Sequence, residues 1–441
     1  MLVQKLNWKS KEGYDQISVN KAIKYIIILI FFSNCSFSKK DEVDNEKLID
    51  IFKKNEPIEK EFNQQLKIKK LNTFKIKPFQ KNNSNSNGNI NFDSNFDKFL
   101  TYKINKIKKF DSNQPELFFT ENENVIFFNG KGSVIKLSED LKKIWEINNY
   151  NKKEKKLNPI LYFAQADNRL IVNDNLSKMY SIDLNDGKVI WSKYSSSSFN
   201  SDIKVYKDKF LTIDFDNIIR AISTQDGKEL WNFKTDNSFI KSQKKLSIIL
   251  KDEIVFFINN LGDVTALDVN NGSLVWQTPT QSSLIYQDAF SLENSDLVFE
   301  NNTIYFSNNK NEFFAIDART GIIKWTQSIN SSLRPTIIES LIFTVSNEGY
   351  LFVIDDRTGN ILRITDILTN FKNRRDIKPT GFIHGKYKIF VSLNNGRLLT
   401  INSITGLQEK ITKIHGSKIS RPYVFKSSMY LIKDNAIART K

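Results

Sequence analysis

The sequence predicts an all-β fold, an eight-bladed β-propeller of four-stranded antiparallel blades, and three observations carry that expectation. First, a phrase close to Asp-x-x-x-Gly-x-x-x-Trp recurs every 38 to 49 residues, about the length of four short strands with their turns. Second, the residues between recurrences alternate apolar with polar and are punctuated by Gly, Asn and Asp, the pattern of antiparallel meanders. Third, the last unit is one strand short, while a strand-like segment with no unit of its own precedes the first.

In chain order, residues 1–34 read as a signal peptide. "YIIILIFF" (Tyr25 to Phe32) follows Lys21 and Lys24, is too short to span a bilayer, and suits the apolar region of a secretory signal. Cys35 follows within "SNCS" and is the single cysteine of the 441 residues, which excludes an intramolecular disulfide and any cysteine-based metal cluster. Its setting resembles the lipobox of bacterial lipoproteins, in which that cysteine receives a diacylglycerol and the preceding peptide is removed. Asn34 and Phe32 depart from the usual small residue and Leu. Residues 35–96 read as a lipidated N-terminus and flexible tether: an acidic start ("DEVDNE"), a basic middle and an Asn/Ser tract, with a short helix near 46–54.

Residues 97–441 hold the repeat. At its Gly and Trp positions, Gly187/Trp191, Gly227/Trp231, Gly272/Trp276 and Gly321/Trp325 fit it fully, and Leu141/Trp145, Gly359/Arg363 and Gly406/Lys410 each replace one of the two. Each position has a structural reason. Asp183, Asp268, Asp317 and Asp355, replaced by Ser223 and Asn402 in two units, can accept turn N–H groups. Glycine supplies the positive φ of the reversal, and tryptophan offers a broad surface between adjacent sheets. Pro115, Pro159, Pro335, Pro379 and Pro422 each precede a β-like run, as expected of an edge strand that can spare a ladder donor. The truncated last unit ("RPYVF", "SMYLI", "NAIARTK") needs a fourth strand, and "DKFLTYKI" (Asp97 to Ile104) can supply it, closing the ring and removing its open edges. A seven-bladed ring is the alternative.

Chemistry is sparse. A net charge of +16 would suggest nucleic acid, but it accompanies a general richness in Lys, Asn and Ile, so no nucleic-acid partner is expected. Lys152, Lys153, Lys155 and Lys156 read as solvated loop charge. His384 and His415 each precede a glycine in an apparent loop and form no metal-spaced pair. Neither a Gly-x-Ser-x-Gly elbow nor a Walker loop occurs. No catalytic residue, metal or cofactor is expected.

The repeat phrase resembles the tryptophan motif of the pyrroloquinoline quinone (PQQ) dehydrogenases, which use adjacent cysteines and Ca²⁺; one cysteine cannot provide that pair. Signal, lipidated cysteine, tether and PQQ-like repeats together resemble the BamB family of lipoproteins. That resemblance implies a non-catalytic scaffold, lipid-anchored in the outer membrane and facing the periplasm. It would bind the POTRA domains of BamA, alongside other subunits of the barrel-assembly (BAM) complex, and assist insertion of unfolded outer-membrane proteins. The family's contact loops fall here on "SFIKSQKK" (238–245) and "SLENSD" (291–296), so the resemblance points to Phe239, Ile240, Lys241, Glu293 and Asp296. A PQQ-dependent or other channel-site enzyme, and a periplasmic peptide- or polysaccharide-binding propeller, are the competing readings.

Overall fold

A computed structural model describes residues 56–69, 71, 99–107, 115–236, 242, 244–280 and 292–440. The signal segment, Cys35, the helix expected near 46–54 and Phe239 to Lys241 lie outside the described residues. The described strands form eight antiparallel sheets of four strands each, so the ring has eight blades rather than seven. Blades 1 to 7 span 118–147, 161–194, 204–234, 248–278, 298–327, 336–366 and 379–413, each in simple sequence order.

Blade 5 shows how the repeat builds a blade. Its strands are Val298–Glu300, Thr303–Asn308, Glu312–Asp317 and Ile323–Gln327. The second strand is buried at every position, whereas the fourth is largely exposed, because neighbouring blades cover both faces of the middle strands and leave the last as a rim. At the turn, the Gly321 N–H donates to the Asp317 carbonyl (2.8 Å), while Asp317 Oδ1 accepts the N–H groups of Arg319 and Thr320 (3.0 and 3.1 Å). Gly321 has φ +75°, and a Cβ there would stand 2.7 Å from the Trp276 ring of blade 4. Only glycine meets both conditions. A register shift between Ala315 and Ile316 then sets Trp325 opposite the small Ala315.

The tryptophans join consecutive blades by the same bond. The indole Nε1–H of Trp145, Trp191, Trp231, Trp276 and Trp325 donates to the carbonyl of Leu184, Thr224, Val269, Ala318 and Asp356 in the next blade, at 3.0 to 3.2 Å. Each ring also covers the turn glycine of that blade, respectively Gly187, Gly227, Gly272, Gly321 and Gly359. Burial and a satisfied donor come from one side chain.

The seam between blades 6 and 7 is built differently. Arg363 fills the tryptophan position and is fully buried. Its guanidinium donates to the carbonyls of Ile404 (2.6 Å) and Ser403 (3.2 Å) in blade 7, and to Leu66 (2.9 Å), and it lies against Gly406. Leu66 belongs to the stretch expected as free tether, yet residues 56–69 run along the seam. Phe62 and Ile364 exchange backbone hydrogen bonds (3.1 and 3.0 Å), the Ile68 N–H donates to the Ile404 carbonyl (2.9 Å), and Ile68 and Leu71 join the apolar core of blades 6 and 7.

Phe99–Lys103 pairs with Ala436–Thr440, completing blade 8 beyond Ser428–Lys433 and Tyr423–Phe425. Arg439 of that pair reaches blade 1, at Asp140 (2.9 Å) and Glu139 (3.0 Å). His415 lies in a loop as expected and is half-buried. His384 corrects the loop expectation: it ends the strand Pro379–His384, is buried, and sets its ring edge-on to Phe343 of blade 6 at 4.6 Å. The following glycine marks the turn after the strand.

Candidate functional site: the central channel

The first strands and their lead-in residues converge on a central channel of about 1520 Å³ that all eight blades line. A repeated local device aims charge into it. Ser201, Ser295 and Ser420 stand just before the first strands of blades 3, 5 and 8. Each hydroxyl accepts the N–H of a second-strand residue, Ile213, Ser307 or Ile432 (2.7 to 2.9 Å), and donates to the carbonyl of the residue after it. Those following residues are Asp202, Asp296 and Arg421, and all three line the channel.

There they meet charges from other blades. Glu116 accepts bonds from Lys245 and Arg421, each at 2.7 Å. Lys245 also holds Asp202. Arg334 Nε donates to Asp296 at 2.6 Å, and Arg421 stands 4.0 Å from the same carboxylate. Blades 1, 3, 4, 5, 6 and 8 are thereby bridged across the axis. Pairing decides the ionisation of the acids. Burial raises the Glu116 carboxyl, but Arg421, Lys245 and Arg334 outweigh it and hold the pKa down to about 2. Asp296 is opposed by burial in the same way and is held far below the usual carboxylate range by Arg334, Lys245 and Arg421. Lys204 and Lys244 go the other way: burial, reinforced by Arg334 and Lys245, pulls each down to about 8.

The sequence-predicted contact residues separate. Glu293 is exposed at the channel, with its N–H donating to Asn309 Oδ1 at 2.9 Å. Asp296 is not on the loop surface expected for it; the Ser295 device turns it inward to Arg334. Sequence reasoning missed the network because its members are scattered from 116 to 421. The recurring dipeptides "SD" (201–202, 295–296) and "SR" (420–421) ahead of a first strand were the available signal. Among the described residues, no group of three or more His, Cys, Asp or Glu could hold a metal ion, and the channel lining includes neither His nor Cys.

A family model described as "Outer membrane protein assembly factor BamB" matches residues 130–365, more than half of the chain. The chain belongs to the BamB family. Among solved structures, BamB from Moraxella catarrhalis aligns with a TM-score of 0.60 at 14% identity, covering 78% of this chain and 98% of that one. The computationally designed Ika8 protein aligns with a TM-score of 0.55 at 13% identity, covering 77% and 99%. At those identities the likeness is one of fold. No curated protein matches the sequence. The family model ends within blade 6, so the BamB assignment rests on blades 1 to 6, before the seam that Arg363 occupies is complete.

Proposed function

We propose that this BamB-family propeller is a non-catalytic scaffold of the outer-membrane β-barrel assembly machinery. In this reading Cys35 carries a lipid that anchors the chain in the outer membrane, facing the periplasm. The propeller binds the POTRA domains of BamA and assists the insertion of barrel proteins. The family match over residues 130–365 carries the reading. The channel agrees with it, since its Glu116, Asp202 and Asp296 carboxylates are engaged in ion pairs that bridge blades and the quinone enzymes' adjacent cysteines cannot be formed from one.

The contact surface is proposed to include Phe239, Ile240 and Lys241 from the stretch 238–245 and Glu293 from the stretch 291–296, with Asp296 turned inward beneath Glu293. The test is crosslinking and copurification from membranes of the native host. BamA should be recovered with the intact protein, and recovery should drop when Lys241→Glu and Glu293→Lys are combined. Undiminished recovery from that variant would remove the contact site, and no BamA with the unaltered protein would remove the function. Intact-mass measurement of the mature protein checks Cys35: cleavage before it and a diacylglycerol adduct are expected.

A further inference from the structure

The channel network is unbalanced. Among the described residues, nine Lys and Arg side chains line the channel against six carboxylates, and Lys204, Lys244, Lys245, Arg334 and Arg421 gather about Glu116, Asp202, Asp296 and Glu293. These groups act on one another as one cluster, because Lys204 and Lys244 each feel Asp296, Arg334 and Lys245. An excess of positive charge gathered in a channel repels itself more strongly than on an open surface, because water screens it less. Arg421 Nε, moreover, is buried at the channel with no hydrogen-bond acceptor, although its Nη groups reach Glu116 and Asp296. Tyr162 and Tyr423, on the first strands of blades 2 and 8, add flat surfaces to the lining.

We propose that the channel is a binding site for a small molecule carrying two or more oxyanion groups, phosphate or carboxylate, held by Lys204, Lys244 and Arg421. The volume exceeds that of ordinary small-ligand pockets, which run to about 1000 Å³, so size admits such a ligand. Guanidinium and ammonium donors suit oxyanions of either kind. The proposal goes beyond the scaffold reading and needs no assembly partner, so either can fail without the other.

Binding should couple to protons. Near pH 8 the two lysines are only partly protonated; an anion favours their charged forms, and by reciprocity protonation favours the anion. Isothermal calorimetry with pyrophosphate and with citrate, on the full chain purified in detergent, tests this. Binding of either or both is expected, with net proton uptake near pH 8.5, seen as a dependence on buffer ionisation heat, that fades toward about pH 6.5. Binding by pyrophosphate alone assigns the phosphate class, and by citrate alone the carboxylate class. Lys204→Met with Lys244→Met should cost about tenfold or more in affinity at an unchanged melting temperature. If that variant fails to fold, the proton uptake of the unaltered protein still decides. Absence of heat from both probes at millimolar concentration, or binding with no proton uptake, would overturn the proposal.

Discussion

The seam between blades 4 and 5 and the seam between blades 6 and 7 solve one packing problem with different chemistry. In the first, Trp276 covers Gly321 and donates to Ala318, both partners lying in the adjacent blade. In the second, Arg363 covers Gly406 and donates to Ser403 and Ile404, but its third acceptor comes from Leu66, about three hundred positions earlier in the chain. An indole carries one donor, satisfied within the seam. A guanidinium carries five, so replacing Trp by Arg recruits additional acceptors. The difference teaches that residues 56–69 are part of the propeller's architecture at this seam, held by the Arg363 guanidinium together with backbone bonds to Ile364 and Ile404 and the burial of Ile68.

Breaking the second seam should therefore cost more than weakening the first. Arg363→Ala removes a fully buried side chain and leaves three carbonyls without that donor; a loss of about 3 to 5 kcal/mol is expected in urea unfolding. A loss below about 1 kcal/mol would show that the arginine is accommodated rather than used.

Acid should also discriminate between the seams. His384 sits at the same seam, against Phe343, with burial pulling its pKa down to about 4. Its neutral form is the folded one. The stability this contributes is complete above the unfolded value near 6.5 and is lost as pH falls through the folded value near 4. Over that interval the loss is about 3 kcal/mol. His384→Gln should remove this part of the acid dependence in thermal melts, whereas a Trp276→Phe variant should keep it; an identical pH profile for His384→Gln would sink the assignment.

At a tryptophan seam, Gly272→Ala introduces a Cβ about 2.6 Å from the Trp231 ring at φ +76°, and a loss of about 2 to 3 kcal/mol is expected. Trp231→Phe keeps most of the burial but drops the bond to Val269, for about 1 to 2 kcal/mol. The smallest effect belongs to Phe62→Ala. That ring is half exposed and its bonds to Ile364 are made by backbone, so the change should stay within about 0.5 kcal/mol.

These contrasts track what the sequence made legible. Asp317, Gly321 and Trp325 each act within a few residues or on the adjacent blade, so their offsets encode their roles directly. The closing strand was legible by elimination, since blade 8 lacked a partner and residues 97–104 lacked a blade. The strap at 56–69 was not, because its role depends on Arg363, and nothing near Leu66 in the chain reports a guanidinium so far away. His384 was misread for a related reason: a following glycine marks a turn, but it says nothing of whether the residue before it faces a neighbouring blade. Asp296 looked like loop charge because the Ser295 hydroxyl that turns it inward works through bonds to the next strand. Local turn chemistry was readable; long-range convergence on the channel was not.

The pairing of Phe99–Lys103 with Ala436–Thr440 joins segments more than 330 residues apart, and this has a kinetic consequence. Each of blades 1 to 7 pairs strands that follow one another in the chain, so each can form early and locally. The latch must await the rest, and it carries the largest loop-closure entropy. A ring fastened this way cannot be peeled from one end without first releasing the latch. Resistance to pulling forces and to processive proteases should accordingly be set by this five-residue ladder and the strap at 56–69 ahead of it, while the seven other sheets determine how quickly the opened ring snaps shut again.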